Sequence, residues 1–231
     1  MDNRYYFEKT ENDKVVITEG EALHLSKVRR CSVGDTIMAF NGDGYDYCLE
    51  IESITKDKVM AKVLTKTINR ATNDTDITVY LAMIKNDALK TAIDNLAELN
   101  VKHVKLFRSD FSEAVIDEKK LSKLTTTAIQ ASKQCERADI MQISIIDKKD
   151  IQEDVKKYQN CFFAYEDSTN NIDRFLGDFA VIIGPEGGFS SSENEYFSAF
   201  AKNVSLSKTI LRAEVACVVS VAMLKAVSNV G

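Results

Sequence analysis

The stretch that decides the fold is VIIGPEGGFSSSENEYF, residues 181–197. It begins with a β-branched run at residues 181–183, which is typical of a buried strand. Pro185, the one proline of the chain, ends that strand because it lacks the N–H that a sheet ladder requires. Ser190 and Glu193 then match a capping box, which predicts that a helix begins here. The stretch therefore predicts a strand, a bare loop and a helix N-terminus in direct succession.

The loop of this stretch, residues 184–188, has the composition of a ligand-binding turn. Gly187 and Gly188 permit a positive φ and leave backbone N–H groups uncovered. In open α/β sheets a ligand often lies just beyond such a strand end, although any tight turn between a strand and a helix also favours glycine. The loop lacks the glycine pattern and the Walker lysine of phosphate sites, and Glu186 would repel phosphate. It therefore favours a neutral or cationic ligand.

Composition restricts the classes of function. The 231 residues, 45% hydrophobic and 28% charged, fit one or two globular domains. A net charge of -5 predicts no general attraction to nucleic acid, so RNA binding would need a local basic patch. Five scattered cysteines without a C-x-x-C pair, and two histidines, argue against a metal site and fit a reducing cytoplasm. No apolar run reaches bilayer-spanning length, so we expect no membrane segment and a cytoplasmic protein.

The first part of the chain, up to about residue 70, is predicted to be a small β-barrel. RYYF (4–7) and KVVIT (14–18) are strand-like, and residues 20–30 follow helical spacing. Asn-Gly-Asp-Gly at residues 41–44 predicts a hairpin turn. Several short strands without long helices between them are typical of a small barrel.

The second part, after a polar linker at residues 69–76, alternates strands with helices. This alternation predicts an α/β fold with a mostly parallel sheet between helices. Its last helix, residues 213–227, is apolar nearly all round, which predicts burial on both sides. Two interpretations stay open for this helix: it lies in the core, or it forms the seam of a dimer.

Five segments occur in an order that is typical of one enzyme family, and they extend over nearly the whole chain. They are HLSKVRR (24–30), NGDGYDY (41–47), IKNDALKTAIDNLAELNV (84–101), IGPEGGFSSSE (183–193) and LSKTILRAEVA (206–216). On these segments the chain resembles the ribosomal RNA small subunit methyltransferase E family, which belongs to the SPOUT superfamily.

The resemblance implies methylation of N3 of a uridine in 16S rRNA, with S-adenosylmethionine as the cofactor. It implies a SPOUT-type, mostly parallel sheet with a C-terminal trefoil knot, an exception to the rule against threaded chains. A small PUA-like, RNA-binding β-barrel would occupy residues 1–70, and the methyltransferase domain residues 71–231. The resemblance further implies a homodimer with the cofactor site at the subunit boundary, and the small ribosomal subunit as the partner.

The resemblance also implies a cofactor site in two bends of the chain. The candidates are Ile183, Gly184, Pro185, Glu186, Gly187, Leu206, Ser207, Ile210 and Leu211. They would hold the cofactor mostly through backbone groups. Without the resemblance, plain core packing is the simpler interpretation of the apolar side chains in the second bend.

Arg212 and Glu214 are the candidate catalytic residues. Arg212 would orient the uracil or neutralise charge as N3 loses its proton; the alternative is a surface arginine paired with Glu214 or Glu186. Glu214 would act as a base or an orienting group, or only as a favourable partner of the helix dipole. Cys217 is interpreted as a packing residue, because this chemistry needs no covalent enzyme intermediate.

Eight residues are candidates for RNA contact. They are Arg4, His24, Lys27, Arg29, Arg30, Lys85, Lys133 and Arg137. The basic run at residues 27–30 can meet phosphates, but the helix macrodipole favours cations at a helix end as well. Helix capping alone would therefore explain about half of the preference for basic residues in this run.

Two other functions are weighed against the first. Another SPOUT enzyme, for example a tRNA ribose 2′-O-methyltransferase, would share the fold without this form of N-terminal barrel. A non-catalytic assembly factor would keep the fold and lose the cofactor, against which the intact segments at residues 183–193 and 206–216 argue. Fold alone does not fix the substrate, so N3 of uridine follows from the resemblance.

Overall fold

The computed structural model describes residues 4–11, 14–71 and 75–228, which form two compact units. One unit takes in the described residues up to 71 together with Ser132–Ile140, and the other takes in the remaining chain. The centre of the predicted linker, residues 72–74, lies outside the described residues.

The first unit is built on one six-stranded sheet. Its strands are β1 (Arg4–Tyr6), β2 (Lys9–Glu11), β3 (Lys14–Thr18), β4 (Thr36–Phe40), β5 (Tyr45–Ile54) and β6 (Lys58–Ile68), in the spatial order β1-β4-β5-β6-β3-β2. The predicted hairpin joins β4 and β5, and Gly42 and Gly44 have φ of 94° and 84° there. The core buries Leu49 and Ile51 on one face of β5, as their spacing of two requires.

The first helix of this unit is shorter than the sequence predicts. Helix α1 spans Glu19–Leu23 and continues as a π-helical turn over His24–Val28. Arg30, which the prediction included in the helix, has a φ of 54°. A left-handed backbone cannot continue a right-handed helix, so the helix ends before that residue.

The segment Ser132–Ile140 packs on the first unit through a buried arginine. Arg137 is 1% exposed, and its guanidinium donates to the carboxylate of Asp139 at 3.1 and 2.7 Å. Its carbonyl oxygen accepts a 3.1 Å hydrogen bond from Arg4, and Arg4 also pairs with Asp46. A buried guanidinium group must be hydrogen-bonded, and both arginines find their partners within this unit.

The second unit is a parallel α/β sheet, as predicted. Its strands are β7 (Ile77–Ala82), β8 (His103–Phe107), β9 (Gln142–Ile145), β10 (Asn160–Ala164), β11 (Phe179–Ile183) and β12 (Lys202–Val204), in the order β12-β10-β11-β7-β8-β9. Each pairing between these neighbours is parallel. The helices are α2 (Asn86–Glu98), α3 (Glu118–Gln134), α4 (Ile151–Asp154), α5 (Ser191–Ser198) and α6 (Ala213–Val227).

Strand β11 lies at the centre of this sheet. It pairs with β10 on one side and β7 on the other, and all five of its residues are buried. A β-branched, fully apolar strand suits this position, because both faces of a parallel sheet are covered by helices. The loop after Ile183 therefore leaves the sheet from its middle, at the carboxyl end. The trefoil knot stays a prediction, since strand order does not describe how the chain threads its own loops.

Helix α6 is buried on one side only within a single chain. It packs against α2 and β11, and the buried side includes Cys217, Val221 and Leu224. On another side Val215 is 41% exposed and Ala222 is exposed. The prediction of burial on both sides is therefore not met by one chain alone.

Candidate functional site

The loop that follows β11 is a tight turn stabilised by its own backbone. The Gly188 N–H donates to the carbonyl of Pro185 at 3.0 Å, and Gly188 has a φ of 72°, which glycine adopts without strain. Helix α5 then begins at Ser191, with Ser190 as its N-cap and both hydrogen bonds of the capping box to Glu193 present. The predicted succession of strand, loop and capped helix is confirmed.

Position 184 requires glycine because a side chain there would clash with a neighbouring ring. A Cβ atom at this position would lie 2.8 Å from a ring carbon of Phe189, a separation that real Cβ atoms do not show. Phe189 in turn packs on Phe163 and Phe197, with ring centroids 5.2 and 5.1 Å apart. The aromatic core below the loop therefore holds the ring that covers Gly184.

A cleft of about 150 Å³ lies between this loop and a second bend of the chain. Ser207 shapes the second bend, because its hydroxyl accepts a 3.1 Å hydrogen bond from the Thr209 N–H. The lining comprises Ala164, Tyr165, Glu166, Ile183, Gly184, Pro185, Gly188, Phe189, Asn194, Leu206, Ser207, Lys208, Thr209, Ile210, Leu211, Ala213 and Ala216. The two bends predicted from the sequence thus line one cleft.

The chemistry of the cleft suits a flat, largely apolar ligand that carries donors or positive charge. Ile210 is 85% exposed at the cleft, a cost that contact with a ligand would remove. Asn194 Oδ1 is buried and accepts no hydrogen bond from any residue that the structure describes. Such an acceptor needs a donor from elsewhere. Glu166, an exposed acid in the lining, can meet a cationic group.

Seven of the nine predicted cofactor-binding residues line the cleft, and two do not. Glu186 and Gly187 line a separate hollow instead. The Glu186 carboxylate accepts a 3.1 Å hydrogen bond from the Lys85 N–H, which directs it towards the end of β7. Gly187 has no positive φ, unlike Gly188.

Sequence reasoning missed five polar residues of the cleft, which are Tyr165, Glu166, Asn194, Lys208 and Thr209. The first two follow β10, which pairs in parallel with β11. Because the carboxyl ends of neighbouring parallel strands meet at one edge of a sheet, the end of CFFAYE was a usable signal. Asn194 lies in the first turn of α5, a position that sequence marks only as helical.

Arg212 is the exposed N-cap residue of α6, and its side chain forms no cap. Within the described residues it makes no ion pair with Glu214 or Glu186, so the alternative of a paired surface arginine is not what the structure contains. Glu214 is half-buried in the first turn of the helix, where a negative charge suits the macrodipole.

Burial first, and then the charge of Glu214, raise the pKa of the fully buried Cys217 thiol. Cys217 therefore stays a neutral packing residue.

A network of charges fixes the neighbouring loop to α5. The carboxylate of Glu193, which is 2% exposed, accepts from Ser109 Oγ at 3.1 Å, the Asp110 N–H at 3.0 Å and Lys148 Nζ at 2.8 Å. Burial lowers the Lys148 pKa, but hydrogen bonds to Asp110 and Glu193 outweigh it and raise this pKa overall. The hydrogen bond from Lys148, and then that from Ser190, lower the pKa of Asp110. Lys148 and Asp110 therefore both stay charged at neutral pH.

The candidates for RNA contact divide by exposure. Lys27, Arg29 and Arg30 are exposed on the first unit, at the end of the π-helical turn. Lys85 is exposed on the second unit, 3.4 Å from Glu113.

The other four candidates are more enclosed. His24 is half-buried beside Tyr5, with ring centroids 5.9 Å apart, and Lys133 donates to Glu21 at 2.5 Å. Arg4 and Arg137 are the buried pair described above, so contact of these two with RNA has no support from the geometry.

Within residues 4–11, 14–71 and 75–228, the structure holds no cluster of three His, Cys, Asp or Glu side chains able to bind a metal ion. Over the same ranges, none of the helices combines the length and apolar character needed to cross a membrane.

Comparison with known proteins identifies the two parts of the chain. The sequence profile of the RNA methyltransferase domain matches residues 71–225, and that of the RNA methyltransferase PUA domain matches residues 10–64. The ribosomal RNA small subunit methyltransferase E of Rickettsia conorii is 28% identical over 237 residues, covering 96% of this chain and 95% of the relative.

Two solved structures share the fold over nearly the full length of both chains. A protein of Porphyromonas gingivalis, described as a probable rRNA-methyltransferase, is 25% identical with a TM-score of 0.85, covering 97% of this chain and 98% of its own. A ribosomal RNA small subunit methyltransferase E of Neisseria gonorrhoeae, bound to S-adenosyl methionine, is 20% identical with a TM-score of 0.83, covering 98% of each.

These findings confirm the resemblance that the sequence segments carry and the expected fold of a PUA-like domain before a parallel α/β domain. The profile match covers the sheet, both bends of the cleft and most of α6. This chain belongs to the RNA methyltransferase family that joins a PUA domain to a methyltransferase domain.

Proposed function

We propose that the protein methylates N3 of a uridine in 16S rRNA of the small ribosomal subunit, with S-adenosylmethionine as methyl donor. The observation that carries the proposal is the cleft between two bends, at the carboxyl end of the central strand β11. The relatives named ribosomal RNA small subunit methyltransferase E support the class of substrate, and the base and its N3 atom follow from the resemblance of the sequence segments.

The residues of the cleft fit S-adenosylmethionine. Ile183, Leu206 and Leu211 supply apolar surface for the adenine ring, and Gly184 leaves the backbone open to close approach. The unpartnered Asn194 Oδ1 is an acceptor for a ligand N–H or O–H group, and Glu166 supplies negative charge. When bound, the cofactor supplies a methyl group on a positively charged sulfur.

Arg212 is the proposed catalytic residue for the uracil. It stands exposed beside the cleft residues Leu211 and Ala213, without an ion-pair partner among the described residues. Uracil N3 must lose its proton to attack a methyl group, and a guanidinium stabilises the charge that develops on the ring. Glu214, two residues on, is the proposed orienting group or base.

The remaining assignments follow from the same proposal. Residues 1–70 serve as the RNA-binding module, with Lys27, Arg29 and Arg30 as its exposed cations. Two copies pair along the exposed apolar side of α6, which places the cofactor site near the subunit boundary. The substrate is ribosomal, so the protein acts in the cytoplasm.

Two measurements test this function. Mass mapping of rRNA nucleosides from cells with and without the gene should show one methylated uridine that disappears on deletion. Titration calorimetry on the purified protein should show heat with S-adenosylmethionine or its demethylated product. An unchanged nucleoside map, or no heat with or without RNA, would exclude the proposal.

A further inference from the structure

A second hollow, of about 300 Å³, adjoins the cofactor cleft. The two share the turn of residues 185–188: the cleft is lined by Pro185 and Gly188, and the hollow by Glu186 and Gly187. The opposite wall of the hollow is the loop after β8, residues 110–113, and Lys85 completes it. A ligand in the hollow would thus lie one turn of chain away from the cleft.

The loop after β8 presents an exposed aromatic ring in this hollow. Phe111 is 51% exposed, although a phenylalanine is normally buried because removal of its ring from water is favourable. Packing of the second unit does not account for the position of this ring. An exposed ring beside a reaction cleft is a typical platform for a planar ligand.

The ring is held out by a rigid loop. Ser109 and Ser112, on either side of it, are buried and bond to each other twice: the Ser109 N–H donates to Ser112 Oγ and the Ser112 N–H to the Ser109 carbonyl, each at 3.1 Å. The Asp110 N–H and Ser109 Oγ bond to the buried Glu193. Phe111 is therefore presented in advance of binding, which lowers the entropy cost of ordering a ligand on it.

Gly187, on the wall that faces Phe111, has no side chain to fill the hollow. Its φ is not positive, so its backbone conformation would permit a side chain. A Cβ atom there would lie 3.3 Å from Phe111 Cβ, close enough to crowd the ring. The absence of a side chain at this position leaves room beside Phe111.

Charge selects the kind of ligand. The hollow is lined by three carboxylates, of Asp110, Glu113 and Glu186, and by one ammonium group, of Lys85. Asp110 is already paired with Lys148 at 2.6 Å, yet the balance stays negative. Carboxylates repel phosphate but accept hydrogen bonds from the N–H groups on the edge of a nucleobase.

We propose that this hollow binds a nucleobase of the RNA substrate, stacked on Phe111 with its edge towards the carboxylates. The proposal rests on the proposed function in so far as the substrate is RNA. A flat apolar face with polar groups at its edge is the chemistry of a base, and the shared turn places this base next to the cofactor cleft.

Steady-state kinetics with small-subunit rRNA and labelled S-adenosylmethionine tests the stacking. We expect Phe111→Ala to raise the KM for RNA about tenfold, because stacking on an aromatic ring contributes that order of affinity per base. Phe111→Tyr keeps a ring and should retain the parent KM, whereas Phe111→Leu keeps apolar volume without a ring and should resemble Phe111→Ala. Val115→Ala, a change at an exposed apolar residue of the same loop, is the matched control and should leave the KM unaltered.

Photocrosslinking provides a readout that needs no turnover. Under ultraviolet light, unsubstituted small-subunit rRNA should crosslink to a peptide that contains Phe111, whichever base occupies the hollow, and this crosslink should vanish in Phe111→Ala. An unchanged KM in Phe111→Ala, or a parent-like KM in Phe111→Leu, would overturn the proposal.

Two further outcomes would also overturn it: crosslinks confined to other peptides, or a weakened affinity of Phe111→Ala for S-adenosylmethionine, which would assign the hollow to the cofactor. Absence of any cofactor binding by the parent protein would instead contradict the proposed function. The crosslink would still test whether the hollow binds a base.

Discussion

Two glycines of one loop are needed for different physical reasons. Gly188 has a φ of 72°, a conformation that costs a residue with a side chain about 1 kcal/mol or more. Gly184 has no positive φ, and its requirement is the ring of Phe189 at 2.8 Å from the place of a Cβ atom. The sequence shows only glycine at both positions. Substitution of Gly188 should strain the backbone, whereas substitution of Gly184 should displace the ring of Phe189.

Gly184→Ala should weaken cofactor binding by displacing Phe189 into the cleft. Forced overpacking of this kind costs about 1–3 kcal/mol, so we expect calorimetry to show an affinity for S-adenosylmethionine lowered about tenfold or more. Gly20→Ala is the control, because a Cβ atom there meets nothing within 4 Å. Equal cofactor affinity in both variants would mean that the ring moves freely and that the close approach has no function.

Arg212→Ala should lower kcat about a hundredfold, the size of effect seen when one group that stabilises developing charge is removed. Its exposure at the start of α6 predicts unchanged folding, dimerisation and cofactor affinity. Arg174→Ala, at another exposed arginine, serves as the control for loss of positive charge. Methyl incorporation at the parent rate in Arg212→Ala would remove Arg212 from the mechanism.

At the scale of elements, Glu193 joins the start of α5 to two other segments. It caps the helix, accepts from the loop after β8 and pairs with Lys148. Glu193→Gln keeps the shape and removes the charge, so we expect the free energy of unfolding to fall by about 2–4 kcal/mol. Urea denaturation measures it, with Glu195→Gln on the exposed side of the same helix as control.

Asp154, the last residue of α4, should make the stability of the protein depend on pH. Asp154 Oδ2 accepts from Tyr80 Oη and Lys105 Nζ, each at 2.5 Å. Burial alone raises the pKa of Asp154, but these hydrogen bonds outweigh it and lower the pKa in the folded protein. A lowered pKa stabilises the fold above the unfolded value of about 4, and this contribution is lost as pH falls through the folded value.

Asp154→Asn should therefore lose about 1.5–3 kcal/mol at pH 7, the range for hydrogen bonds to a charged group. Below the folded pKa the difference between variant and parent should shrink. Urea denaturation between neutral and acid pH measures both, and Asp150→Asn, at an exposed acid nearby, should follow the parent curve. A constant difference at every pH would contradict the linkage.

At the scale of the whole molecule, the exposed side of α6 predicts assembly. Val215, Val219, Ala222 and Ala226 recur at spacings of four and three, so they form one apolar stripe on the helix. Val215, Ala222 and Ala226 are exposed in the single chain. A stripe of this kind needs a partner, and a second copy supplies the same surface by two-fold symmetry.

Ala222→Glu should therefore convert the proposed dimer into a folded monomer, because the seam would bury two unpaired carboxylates. Sedimentation velocity distinguishes the two states, and circular dichroism confirms that α6 still forms. Lys202→Glu, a reversal of charge on the edge strand β12, should leave the dimer intact. A parent protein that sediments as a monomer would contradict the dimer proposal itself.

Local patterns predicted much of the second unit. The capping box of Ser190 and Glu193 needs only residues three apart, and the strand before Gly184 needs only its own β-branched run. The order of strand and helix likewise predicted a parallel sheet. Where backbone conformation depended on contacts, the prediction was less accurate: the first helix was predicted through Arg30, which the structure holds at a φ of 54°.

The sequence by itself determined the family, the alternation of elements and most of the cleft, because strand, turn and cap signals depend on residues near each other in the chain. Only the tertiary structure decided which side chains face which cavity. It brought Tyr165 beside Gly184 through the pairing of β10 with β11, turned Glu186 towards Lys85, and joined Arg4 to the carbonyl of Arg137. These contacts join residues whose partners are selected by the packing of whole elements, for which no local pattern exists.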